Sequence, residues 1–150
     1  VFASAHLTSG LLVGLALGLH GAPFAALVLA SVLTDWDFSL QLLTGRNHRT
    51  FLSHCPPVVA AALVPVALVW PLAWWVLAGC MLHFSLDVWE YGLRLNPFST
   101  RIYGLRLLPG VEREPFLGYL RRYFGDWRFA GAEALLALGA AGLLLARGIA

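Results

Sequence analysis

"VFASAHLTSGLLVGLALGLHGAP", residues 1–23, is an apolar run about one helix long that ends in a Gly-Ala-Pro turn and carries a histidine near each end. A secretory signal would lead with positive charge ahead of a short apolar core. This run has no such charge, so it is expected to be retained as a membrane helix. Pro23 suits the first turn of a following helix, so the chain should double back at once. Outward from that turn, the breakers divide the chain into helices over about 2–19, 23–43, 57–69, 72–95 and 130–146. They are the "HGAP" turn, the loop "TGRNHRTFLSHC" (44–55), "WP" at 70 and 71, and a polar stretch over 96–129. Pro65 is expected to kink the third helix, because proline removes a donor and crowds the preceding turn.

Composition supports the same fold class, an all-α polytopic membrane helix bundle of four to five transmembrane helices forming one integral domain over 1–150. The chain is 59% hydrophobic and 12% charged, against about a quarter charged in soluble domains. Its mean hydropathy is +0.75. A net charge of +2, carried entirely by arginine, is too small to argue for nucleic acid. The part "EREPFLGYLRRYFGDWRF" alternates aromatic and charged residues and reads as an amphipathic segment lying in the interface. Cys55 and Cys80 make no secreted disulfide framework.

Arginine sets the expected sidedness. Residues 94, 101, 106, 113, 121, 122 and 128 are arginines in or just before the long polar stretch, and Arg46 and Arg49 lie in the histidine loop. The positive-inside rule puts both loops on the cytoplasmic face of the inner membrane. His6, Asp35, Asp37, His48, His54, His83 and Asp87 then gather at that face from four separate segments. His20, about 21 Å from His6 at the helical rise, falls in the opposite turn and is excluded. His83 and Asp87, four apart, share one side of a helix. Asp35 and Asp37, two apart, cannot, and fit a fraying helix end. Ionisable groups at membrane depth are costly unless they meet a partner, so the seven point to a bound cation. Imidazole with carboxylate favours zinc, with manganese or iron as alternatives, and seven donors allow one or two ions. Cys80 and Cys55 adjoin the histidines and Glu90 adjoins Asp87, as outer candidates.

The motifs "AHLTSG", "LTDWD", "HRTFLSH", "GCMLHFSLD" and "YGLRLNPFS", in that order, resemble the YdjM-type (LexA-binding, inner-membrane-associated) family of membrane-bound metal-dependent hydrolases over residues 5 to about 105. That family carries an early histidine, "PDxD", "HRGxTHS" and "HxxLD" followed by a glycine and a "PF" segment. The resemblance implies the same seven residues as the metal set. Thr34 replaces the family's proline, Phe38 replaces a frequent histidine, and the interval from His48 to His54 is one residue longer, as in sibling families with "HRSWLSHG"-like loops.

The functional expectation is hydrolysis of a phosphoester or ester in a lipid or lipid-linked substrate through a metal-activated water. Asp35 or Asp37 would serve as general base. Arg49, with Arg101 as a second candidate, would neutralise phosphate, which guanidinium binds in a bidentate way. The main rival is a non-catalytic metal-stabilised membrane protein or accessory subunit, which needs no open coordination position. A haem protein using His6 and His83 would show a Soret band. A transporter would carry charges near the midplane rather than at one face.

Overall fold

The computed structural model describes residues 3–44, 49, 51–99, 101–108 and 116–148. It is almost wholly helical. α1 spans Ala3–Ala16, α2 Gly21–Leu33, α3 Phe38–Thr44, α4 Pro56–Val69, α5 Leu72–Glu90, α6 Phe116–Gly125 and α7 Trp127–Ala146. A 3-10 turn over Thr34–Asp37 joins α2 to α3, and a shorter one over Leu52–His54 precedes α4. α2 packs on α5 and α1, α1 on α7, α4 on α5, and α6 on α7.

Three helical stretches are long and apolar enough to cross a membrane: Gly21–Gln41, Leu72–Glu90 and Trp127–Ala146. α1 and α4, at 14 residues each, reach only about 21 Å of a roughly 30 Å hydrocarbon core. Among the described residues, three of the expected four to five spans are therefore long and apolar enough to cross a membrane. Only 11% of the α7 window is buried inside the protein, and Leu135, Leu138 and Leu145 point outward. Outward leucines of this density make a continuous apolar surface that lipid, not water, would cover.

Two glycines bring the helices close. A Cβ at Gly79 of α5 would stand 2.7 Å from the Cβ of Ala30 in α2, and one at Gly10 of α1 would stand 3.2 Å from Val28 Cα. Larger side chains there would push α1, α2 and α5 apart, and these three helices hold most of the site.

Several boundaries differ from the sequence expectation. The second helix does not run unbroken to Leu43, because the 3-10 turn interrupts it at the aspartates. The fourth ends at Glu90, not Leu95. Gly92, at φ +94°, takes a left-handed conformation open to glycine, and the Tyr91 and Gly92 amides both donate to Asp87 O. A hairpin follows, with β1 (Leu93–Arg94) antiparallel to β2 (Ile102–Tyr103). The amides of Leu105, Leu107 and Leu108 then donate to the carbonyls of Val88, Trp89 and Glu90, which satisfies orphan acceptors at the end of α5. Within 96–129 the described residues form a hairpin arm, α6 and the start of α7. α4 runs through Pro65 as a single helix.

Candidate metal centre

The site is built at the end of the bundle where α2 and α5 finish and α1 begins. His83 and Asp87 lie one turn apart on α5, both fully buried. The His83 Nδ1–H donates to Ser31 O at 2.9 Å. That bond fixes the tautomer and leaves the Nε2 lone pair facing inward, where it lies 3.3 Å from Asp87 Oδ2 and 3.5 Å from Asp35 Oδ1. The close α2–α5 packing at Gly79 is what lets an α5 side chain reach an α2 carbonyl.

His6 of α1 stacks on His83, ring centroids 3.7 Å apart and planes 18° from parallel. The Ser31 hydroxyl donates to His6 O at 2.9 Å, so Ser31 ties both histidines to α2. His6 Nε2 stands 3.4 Å from Asp87 Oδ1. Neither His6 nitrogen, nor His83 Nε2, has a hydrogen-bond partner among the described residues. Buried polar atoms are seldom left so, because each costs about 1–3 kcal/mol.

His54, from the turn before α4, completes the group. Its Nδ1 lies 2.8 Å from Asp37 Oδ2, an oxygen that also accepts from the Ser53 hydroxyl. Its Nε2 lies 3.2 Å from Asp35 Oδ1 and 3.9 Å from Asp87 Oδ2. Burial pulls the His54 imidazolium down, but hydrogen bonds to Asp35 and Asp37 more than offset it and hold the pKa at about 9. Without a metal His54 therefore carries a proton at neutral pH.

Two groups of donors could each hold a metal ion: His6, His83 and Asp87, and Asp35, His54 and His83. The spacings fit such an ion. Donors at 2.0–2.2 Å around a tetrahedral ion stand roughly 3.3 Å apart, and the separations linking His83, Asp87, Asp35 and His54 run from 3.2 to 3.9 Å. Asp37 stands behind His54 rather than in either group, as the carboxylate partner that commonly orients a ligating histidine. The Asp35 side chain is 24% exposed, whereas His54 and Asp87 are at 1% and His6 and His83 at 0%. The cluster therefore opens to solvent at Asp35.

The remaining candidates lie as follows. His48 and Arg46 fall outside the described residues. Arg49 is buried, its Nη2 2.9 Å from Glu90 Oε2 and 3.5 Å from Asp87 Oδ1, with the guanidinium 5.2 Å over the Tyr91 ring. It faces two carboxylates from the protein rather than an open pocket. Glu90, fully buried, is its main partner. Arg101 is exposed and stacks over Tyr103. His20 is exposed in the α1–α2 turn, with Nδ1 3.4 Å from Gly18 O. Cys80 accepts from the Thr34 hydroxyl at 3.6 Å, and neither cysteine belongs to a donor group. Sequence reasoning had passed over Ser31 and Ser53. The carbonyl that Ser31 offers carries no side-chain signal, although a serine among the apolar residues of α2 is a weak one.

Comparisons with protein-family models, curated proteins and solved structures returned no match.

Proposed function

We propose that this protein is a membrane-bound metal-dependent hydrolase acting on a phosphoester or ester of a lipid or lipid-linked substrate at the cytoplasmic face of the inner membrane. The observation that carries the reading is the convergence of five buried or half-buried imidazole and carboxylate donors from α1, α2 and its 3-10 turn, α5 and the pre-α4 turn on one small volume. The likeness to YdjM-type hydrolases, resting on the same residues, supports it. The sidedness follows from the positive-inside rule, with Arg49 buried beside Asp87 of the cluster.

His83 belongs to both donor groups through one nitrogen, because Nδ1 is engaged by Ser31 O. One lone pair binds one ion, so His83 serves one of the two groups at a time, and we assign the primary site to Asp35, His54 and His83, with Asp87 Oδ2 3.3 Å from His83 Nε2 beside it. Asp87 turns Oδ2 toward it and Oδ1 toward His6, and a second ion would use that bridge. Zinc suits this donor set. A bound divalent ion would supply a nucleophile at neutral pH by lowering the pKa of water from about 15.7 toward 7. Asp35 stands at the solvent edge, where it could serve as general base to a water that a bound ion would activate. Asp37 and Ser53 hold His54 in register. Arg49, held by Glu90 and stacked on Tyr91, positions Asp87.

The second reading, a metal-stabilised structural protein, is favoured by the near-complete burial of four donors and by a shell that four protein ligands can close. Purified protein loaded with zinc and assayed on bis-p-nitrophenyl phosphate and on a short-chain phosphatidic acid separates the two. Turnover lost in Asp35→Asn with metal retained supports the hydrolase. Stoichiometric metal with no turnover on any phosphoester or carboxylic ester leaves only the structural reading.

A further inference from the structure

A second polar feature, lined by none of the cluster's donors, lies where α6 meets α7. Gly118, Arg121, Arg122 and Gly125 of α6 line a groove of about 950 Å³ together with Trp127 and Arg128 of α7. Residues three, four and seven apart share a helical face, so these four α6 positions form one side. Tyr119 and Tyr123 occupy another, where Tyr123 is buried against Phe129 and Leu108. A Cβ at Gly125 would meet nothing within 4 Å, so part of the groove floor is bare backbone between two arginines. Among the described residues, Arg121, Arg122, Asp126 and Arg128 line the groove. Asp126 is already engaged by Arg128, whose Nε and Nη2 donate to it at 2.9 and 2.5 Å. Arg121 and Arg122 are exposed.

The surroundings indicate what the groove would meet. α7 begins its apolar stretch at Trp127, so the groove sits where a candidate span would leave the headgroup layer. Trp127 is 80% exposed, and Leu117 and Phe124 of α6 are exposed as well. Exposed tryptophan and apolar side chains beside arginine are the composition of a membrane–water interface. Guanidinium groups bind phosphate oxygens in a bidentate way, and the groove is large enough for a glycerophosphate headgroup.

We infer that the α6–α7 groove binds the phosphate of an anionic phospholipid headgroup, with Arg121 and Arg122 as its charged walls. None of its residues is a donor in the metal cluster, so the inference stands whether or not the cluster is catalytic. It requires only that α7 enters a bilayer. The test uses the full chain purified in detergent and titrated with dioctanoyl-phosphatidylglycerol, dioctanoyl-phosphatidylcholine or inorganic phosphate, with binding followed by native mass spectrometry. Phosphatidylglycerol is expected to bind saturably, and the Arg121→Gln/Arg122→Gln variant to bind it roughly tenfold to thirtyfold more weakly. The variant should keep its metal content and helical circular dichroism. Gly125→Leu, which fills the floor without changing charge, should weaken binding as well, and it serves if the double variant does not fold. Equal affinity for phosphatidylcholine, or unchanged phosphatidylglycerol binding in both variants, would overturn the inference. Displacement of the lipid by an equal concentration of inorganic phosphate would overturn the lipid as source.

Discussion

His6 and His20 are the same residue at opposite ends of the α1 region, and they meet opposite fates. His6 is buried, stacked on His83 and turned toward Asp87. His20 is exposed in a turn, with Nδ1 near the carbonyl of Gly18. The difference lies in the neighbours rather than in the histidine. At the His6 end, glycines let α1, α2 and α5 approach until side chains from all three share one pocket. At the His20 end the turn is exposed, and a Cβ at Gly18 or Gly21 would meet nothing within 4 Å. A polar residue in an apolar chain becomes a candidate ligand only where packing gives it company.

The contrast breaks most sharply by mutation of the donors. His83→Ala or Asp87→Ala should reduce bound zinc from stoichiometric to near zero by elemental analysis, while His20→Ala keeps the full load. Equal metal in all three would end the ligand assignment. Next in size is Gly79→Leu, which puts a large side chain against Ala30 and the Leu27 carbonyl. Overpacking of this kind costs about 1–3 kcal/mol. The thermal midpoint should fall, and metal with it, because the His83–Ser31 bond depends on the same approach.

Asp37→Asn tests whether orientation matters apart from ligation. Loss of the carboxylate behind His54 should weaken metal affinity by about 10–100-fold, as for other partners of ligating histidines, without abolishing it. A competition titration against a chelator reads this directly, and complete loss would make Asp37 a ligand itself. A smaller effect is expected from pH. The His54 pKa of about 9 lies above its ordinary 6.5, so in metal-free protein its stabilising contribution is fully present below pH 6.5. That contribution is lost as pH rises through 9. Chelator-stripped protein should therefore melt lower near pH 9.5 than near pH 6, whereas zinc, which displaces the proton, should flatten that dependence. Proton release on adding zinc at neutral pH, measured in weak buffer, checks the same point.

Much of the site was legible because its spacing is local. The four-residue step from His83 to Asp87 puts both on one face of any helix, and the two-residue step from Asp35 to Asp37 rules out a shared face. In the fold those aspartates do part company. Asp35 turns to His83 and His54, and Asp37 turns behind His54 to Ser53. Which aspartate faces inward was not legible, because it depends on the 3-10 geometry at Thr34–Asp37. Arg49 was read as a phosphate ligand from its place beside His48. Its guanidinium meets Glu90 and Asp87, and the Glu90 pairing spans 41 residues that no local pattern encodes.

The sequence by itself determined the helical class, the long apolar runs and the residue types at one end of the bundle, because apolar periodicity and breakers act over a few residues at a time. Tertiary structure alone decided where α5 stops, since Gly92 needs a hairpin and the 105–108 amides to finish it. It also decided which histidine nitrogen faces the cluster, through the Ser31 carbonyl. That choice depends on how closely two helices far apart in the chain approach, a distance set by the volume of Gly79 and Ala30 where they meet.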